Sequence, residues 1–210
     1  MYKYIKSGLD RVLALIGLIL LAPLFLILIV AIKLDSRGPV LFRQKRVGIH
    51  KSYFEILKFR TMRVDTPKDV PTHMLADPEQ YITKVGKFLR KTSLDELPQI
   101  LNIWKGDMAI VGPRPALWNQ YDLIAERDKY GANDVLPGLT GWAQINGRDE
   151  LSIQEKARLD GEYVARAGFL MDMKCFLATI GSVLKSDGVV EGGTGELMRK
   201  QFHEDTGLSG

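Results

Sequence analysis

The chain has 210 residues, 29 of them Lys or Arg and 25 Asp or Glu, and 46% are apolar by count. That length suits one domain with a sizeable core, and a charged share of 26% beside so much apolar residue excludes a disordered or collagen-like chain. A single Cys excludes a disulfide framework and fits a chain facing the reducing cytosol.

Residues 12–32 carry no ionic charge and are apolar except for Gly17 and Pro23. As a straight helix the run is about 30 Å long, the thickness of a bilayer's hydrocarbon core. It is too long for the apolar region of a signal peptide, and no small-x-small cleavage pattern follows it. Membrane insertion is therefore the expectation. Lys3, Lys6 and Arg11 precede the run, and Lys33, Arg37, Arg43, Lys45 and Arg46 follow it. Basic residues on both sides suggest that both flanks stay in the cytosol. Pro23 removes a helical donor in the middle of the run and favours a kink, leaving two halves of about 15 Å each. A helix that re-enters its own face and a Pro-kinked spanning helix both fit these residues.

Gly38-Pro39 closes the membrane segment. Residues 40–44 and 53–59 have strand composition around a polar stretch with Gly48, which predicts a β-hairpin. Residues 64–79, with Pro67, Pro71 and Pro78, read as a loop. A helix is expected over 81–91, where Lys84, Lys87 and Lys91 interleave with Ile82, Val85, Phe88 and Leu89. It reads either as a basic amphipathic helix at an anionic membrane surface or as a solvated face over a core. Residues 94–105 carry an apolar helical pattern that Gly106 ends, and a further helix is expected around 116–130. Residues 136–148 read as an ordered loop. Ser152 and Glu155 form a capping box for a polar helix reaching about residue 166. Residues 169–185 present a broad apolar stripe, read mainly as core. The tail contains Gly192-Gly193-Thr194-Gly195 without the Gly-Lys-Ser/Thr ending of a phosphate-binding loop, so no nucleotide role is expected there.

His50, His73 and His203 are scattered and Cys175 stands alone on an apolar stripe, so zinc spacing is absent and the thiol reads as packing. The remaining candidate is the carboxylate pair Asp95-Glu96. Ser93 and Glu96 match a capping box, and acids in a first helical turn complement the helix dipole. Against this, Pro98 would fall at a fifth helical position, where a proline fits poorly. A carboxylate can also attack phosphorus, or ligate Mg²⁺ together with substrate phosphates. Lys58, Arg60, Arg90, Arg114 and Arg148 lie in or beside short ordered-looking segments, and guanidinium forks match phosphate oxygens. Arg114, between Pro113 and Pro115, is held on a stiff backbone.

Several segments occur in order: Lys58-Phe59-Arg60-Thr61-Met62, residues 93–99, Lys105-Gly106-Asp107-Met108, Val111-Gly112-Pro113-Arg114-Pro115, residues 137–141 and residues 144–148. Together they resemble the bacterial sugar transferases, the small monotopic phosphoglycosyl transferases in particular, over roughly residues 6–186. The resemblance implies transfer of a sugar-1-phosphate from a UDP-sugar to polyprenyl phosphate with release of UMP. It implies Mg²⁺, a covalent phosphosugar-enzyme intermediate and a re-entrant membrane helix kinked at Ala22-Pro23. The family dyad falls on Asp95 and Glu96, with Asp95 the expected nucleophile and a metal ligand. Lys58, Arg60, Arg90, Arg114 and Arg148 become candidates for substrate phosphates. Two positions depart from the common pattern: Ala22-Pro23 stands where members often have Ser-Pro, and Ala109 where Ser is common.

The expected fold is thus α+β and predominantly helical. It comprises a re-entrant membrane helix over residues 1–36, a catalytic domain over 37–186 with a β-hairpin and interfacial amphipathic helices, and a tail over 187–210. The expected location is the cytoplasmic face of a bacterial inner membrane, among its phospholipids and without nucleic acid. The alternative class is a membrane-anchored basic module that binds anionic lipid or nucleic acid without catalysis, which a net charge of +4 allows. A glycoside hydrolase is disfavoured, because adjacent acids are poorly placed for opposite faces of a sugar.

Overall fold

A computed structural model of the chain describes residues 2–66, 78–147 and 151–185. Helix α1 (Tyr2–Asp35) runs through the apolar segment and both charged flanks, with Pro23 inside it. Its buried residues, Asp10, Ala14, Leu28 and Ile32, fall on one stripe that half-buried Gly17, Leu21 and Leu24 continue. Along that stripe Ala14 packs with Ile56, Ile103 and Met108, and Leu28 and Ile32 pack with Phe59 and Leu89. The other face, including Val12, Ile16, Ile19, Leu20, Ile27 and Val30, is exposed. One side of α1 is therefore part of the protein core while the other is apolar and bare.

Strands β1 (Leu41–Val47) and β2 (Tyr53–Phe59) form the expected antiparallel hairpin, registered from Leu41 opposite Phe59 to Val47 opposite Tyr53. Helix α2 (Lys84–Lys91) begins later than the sequence pattern suggested. Ile82 still bridges to Met62, and the Thr83 hydroxyl caps the helix by accepting from Gly86 N at 2.9 Å. A Cβ on Gly86 would stand 2.0 Å from the Thr61 carbonyl oxygen, so glycine is what lets α2 lie against the end of β2.

The single helix expected over 94–105 is two pieces. Leu94–Glu96 forms one 3-10 turn, and α3 (Gln99–Lys105) starts after Pro98. Ser93 is left-handed, at φ 56°, and its side chain caps nothing, so the capping-box reading of Ser93 and Glu96 is overturned. Pro98 takes the helix-entry position, where its missing N–H costs no hydrogen bond. Gly106, at φ 90°, ends α3 as expected.

Strand β3 (Ala109–Val111) pairs in parallel with β4 (Gly138–Thr140), a strand inside what the sequence presented as a loop. The backbones of Gly112 and Gly138 meet so closely that a Cβ on Gly138 would lie 2.1 Å from Gly112 N. That approach fixes the Pro113-Arg114-Pro115 segment that follows. Helix α4 (Tyr121–Asp128) is shorter than the expected 116–130. Its first residues are extended instead, with Ala116 O accepting from Val47 N and Leu117 bridged to Arg46. A short α5 (Trp142–Ile145) follows β4, and α6 (Ile153–Ala165) opens on the expected Ser152/Glu155 capping box.

Helix α7 (Phe169–Lys185) has the expected bounds but not the expected environment. Cys175 is buried against Val111 and Tyr163, whereas Phe169, Leu170, Met173, Phe176, Leu177 and Ile180 are exposed. Periodicity identified the helix correctly; only a narrow strip of it meets protein. The architecture is a mostly helical α+β fold with a long apolar N-terminal helix and one hairpin. Most of the expected 64–79 loop, Arg148 and the tail over 187–210 lie outside the described residues.

Candidate active site

Three segments bring charge to the turn that carries Asp95 and Glu96. Lys58, near the end of β2, donates from Nζ to Glu96 Oε1 at 2.8 Å and stands 3.9 Å from Asp95 Oδ2. Arg114, after β3, donates to both Glu96 oxygens, at 2.5 and 3.3 Å. Glu96 is thus gripped by a planar fork and an ammonium at once. Burial by itself would raise the Glu96 carboxyl, but Arg114 and Lys58 outweigh it and hold the group well below the usual carboxylate range. It is a fixed negative charge.

Asp95, one residue earlier, is in the opposite condition. Burial lifts its carboxyl above the ordinary value; Lys58 pulls against that shift, Glu96 adds to it, and Arg90 and Arg114 pull more weakly. Among the described residues its carboxylate accepts no hydrogen bond, and its nearest cation is Lys58. A carboxylate without donors keeps its lone pairs available. Among the described residues the pair therefore divides into an acid clamped by two cations and one whose oxygens accept no hydrogen bond.

Leu94 and Leu97 flank the dyad and pack into the cluster of Leu28 and Ile32 of α1, Phe59 and Leu89. The carboxylates consequently sit beside the long apolar helix. On α2, Arg90 donates from Nε to Thr61 Oγ1 at 2.9 Å, and its charge reaches Asp95.

Lys58, Arg90 and Arg114 are thus brought to the dyad, and Arg60 is not. The Arg60 guanidinium is buried and donates to Ser36 O and Oγ at 2.8 Å each and to Arg37 O at 2.5 Å. It closes the C-terminal end of α1. Ala22 and Pro23 lie on the exposed face of α1. Sequence reasoning passed over Thr61, which receives Arg90, and Asn102, which is buried beneath β2. The only signal for Asn102 is a polar residue where the apolar pattern of α3 turns inward.

Among the described residues no group of three or more His, Cys, Asp or Glu converges as a metal cage. The donor set instead suits Mg²⁺, which is commonly held by one or two carboxylates and by substrate phosphates. Asp95 supplies a hard oxygen that no hydrogen bond occupies, while Glu96 is already engaged by two cations.

A family model for bacterial sugar transferases matches residues 1–186, and the chain belongs to that family. It is 44% identical over 166 residues to the uncharacterized sugar transferase EpsL of Bacillus subtilis, covering 79% of each chain. It is 34% identical to the exopolysaccharide production protein ExoY of Sinorhizobium fredii, over 87% of each chain. With the UDP-glucose:undecaprenyl-phosphate glucose-1-phosphate transferase of Escherichia coli it shares 42% identity over 85% of its own length, which is 40% of that larger protein.

Proposed function

We propose that this chain is an undecaprenyl-phosphate sugar-1-phosphate transferase that uses a UDP-sugar and releases UMP, at the start of polysaccharide synthesis. The observation that carries the reading is the division of the dyad beside α1: a donor-free Asp95 next to a Glu96 clamped by Lys58 and Arg114. Membership of the sugar transferase family supports it, as do relatives named for this reaction.

An oxygen of ionised Asp95 attacks the β-phosphorus of the UDP-sugar. The bond from that phosphorus to the bridging oxygen breaks, the electron pair leaves on UMP, and an aspartyl phosphosugar remains. A phosphate oxygen of the polyprenyl acceptor then attacks the same phosphorus and returns Asp95 as a carboxylate. Lys58, Arg90 and Arg114 offset the charge of the phosphoryl oxygens in both steps. Glu96 holds Lys58 and Arg114 in place. Mg²⁺, when bound at Asp95, supplies further neutralisation of the donor diphosphate.

The same reading places the chain on the cytoplasmic face of a bacterial inner membrane, with α1 entering the bilayer and returning at the Ala22-Pro23 kink. What supports it is that both ends of α1 are tied to one protein body. Tyr2 and Lys6 bond Asp172, Asp10 accepts from Ile110 N, and Asp35 accepts from Val85 N. The exposed apolar faces of α1 and α7 and the exposed Phe88 of α2 give a lipid-facing surface with interfacial helices. Residues 1–36 and 37–186 then act as one unit.

The test is UMP release across a panel of UDP-sugars. Release that requires a UDP-sugar, undecaprenyl phosphate and Mg²⁺ is expected; a protein that binds anionic vesicles and turns over no UDP-sugar would overturn the reading.

A further inference from the structure

We infer that Asn102 is a positioning residue for the reaction: its side-chain amide sets how closely Lys58 approaches Asp95. The inference rests on the proposed role of Asp95 as the nucleophile.

Among the described residues strand β2 has a strand neighbour on one side only, since β1 and β2 make a two-stranded sheet. Its other edge is covered by α3, and buried backbone groups there need partners. Asn102 supplies them. Its Oδ1 accepts from Leu57 N at 3.0 Å and its Nδ2 donates to Glu55 O at 2.8 Å, the pairing a third strand would offer. The second amide hydrogen points to Asp107 Oδ2 at 3.2 Å, just past the C-terminal turn of α3. Asn102 is 1% exposed, and its main-chain carbonyl also accepts from Gly106 N and Asp107 N. Both polar atoms of the side chain are engaged. Aspartate lacks the donors, leucine lacks both functions, and glutamine is one methylene too long.

The consequence lies next along each element. Lys58 follows Leu57 directly, and the Asp95-Glu96 turn precedes α3 by two residues. The amide therefore pins the strand that carries the ammonium to the helix that follows the carboxylates. A Coulombic interaction at 3.9 Å changes steeply with distance. Loosening this pin lets Lys58 follow Glu96, which holds it at 2.8 Å, and draws the ammonium away from Asp95 and from the phosphoryl oxygens that meet it there.

The test uses the full chain in nanodiscs, with undecaprenyl phosphate and UDP-glucose, or the UDP-sugar turned over fastest in the panel. UMP release is followed against donor concentration for Asn102→Ala and for Ile103→Ala, a neighbour that packs against Ile56 and Met108 but bonds no strand atom. Asn102→Ala is expected to lower kcat per folded molecule about tenfold or more and to leave the donor KM within about threefold. Ile103→Ala is expected to lower thermal stability while keeping kcat per folded molecule within about threefold of the parent. If Asn102→Ala does not fold, Asn102→Ser, which cannot span both strand atoms, decides by the same readouts. Parental kcat per folded molecule in the Asn102 variant overturns the inference. So does an equal fall in Ile103→Ala, because the effect would then be general loosening. Asp95→Asn run alongside separates the two readings: its continued turnover removes the nucleophile, whereas its inactivity beside a parental Asn102→Ala kcat removes only the positioning role.

Discussion

Asp95 and Glu96 are neighbours in sequence with similar burial, and what divides them is which cations face them. Glu96 receives Lys58 and both arms of Arg114, while Asp95 has Lys58 at 3.9 Å and no hydrogen bond among the described residues. In the proposed mechanism Asp95 reacts as the carboxylate, so UMP release should rise with pH through a limb set by this group. Burial raises the Asp95 carboxyl, which places that limb above the ordinary aspartate value of about 3.9. Lys58 lowers it, so removing the ammonium must move the limb further up. Lys58→Met is therefore expected to shift the acid limb to higher pH, read from initial rates at saturating donor. A limb that stays or moves down in this variant means that Lys58 does not act on the reacting carboxylate.

Between elements, a buried ion pair joins α4 to α6. Arg127 donates from Nε to Asp160 Oδ2 at 2.8 Å, its Nη2 lies 2.6 Å from the same oxygen, and both side chains are almost completely buried. Breaking such a pair from one side strands a charge and costs about 3–5 kcal/mol. Asp160→Asn should accordingly lower Tm on the order of 10 °C in a chain of this size. The double variant Arg127→Met/Asp160→Leu should recover most of that loss; a single variant with parental Tm would show that the pair is dispensable. The capping box of α6 is legible in sequence because Ser152 and Glu155, three residues apart, cap each other through backbone and side chain. The same spacing at Ser93 and Glu96 misled, because Lys58 and Arg114 draw Glu96 away from distant parts of the chain. Lys58, from the motif at residues 58–62, Arg90 and Arg114 are singled out in the sequence, and the fold brings all three around the dyad. Arg60 sits in the same motif, yet it is held by carbonyls at the end of α1, a contact that no local pattern carries. For α7 the 3.6-residue period gave the bounds, but a period cannot say whether protein or lipid covers the apolar side. Strand β4 is three residues long, too short for an alternating signal, and is held in place by its pairing with β3.

At the scale of the molecule, the proposed reaction joins a soluble donor and a lipid acceptor at one carboxylate beside the long apolar helix α1. A spanning α1 would carry its two ends to opposite sides of a hydrocarbon core about 30 Å thick. The proposed re-entry keeps them on one side, with Tyr2 and Lys6 bonded to Asp172 and Arg60 holding Ser36 and Arg37. Tyr4 is exposed and suits a probe. In a Cys175→Ser background, Tyr4→Cys in spheroplasts should react with an impermeant thiol reagent only after permeabilisation; labelling without it would place the N-terminal end outside. The central claim is that Asp95 carries the phosphosugar between the two substrates, and one measurement reaches it directly. Full-length protein, Mg²⁺ and UDP-sugar are mixed without acceptor, quenched rapidly, and analysed by intact mass and peptide mapping alongside released UMP. The account predicts a sugar-phosphate adduct on Asp95, a matching amount of UMP, and loss of the adduct when undecaprenyl phosphate is added. Full acceptor-dependent turnover with neither adduct nor acceptor-independent UMP would contradict it and leave direct transfer between the two substrates as the mechanism.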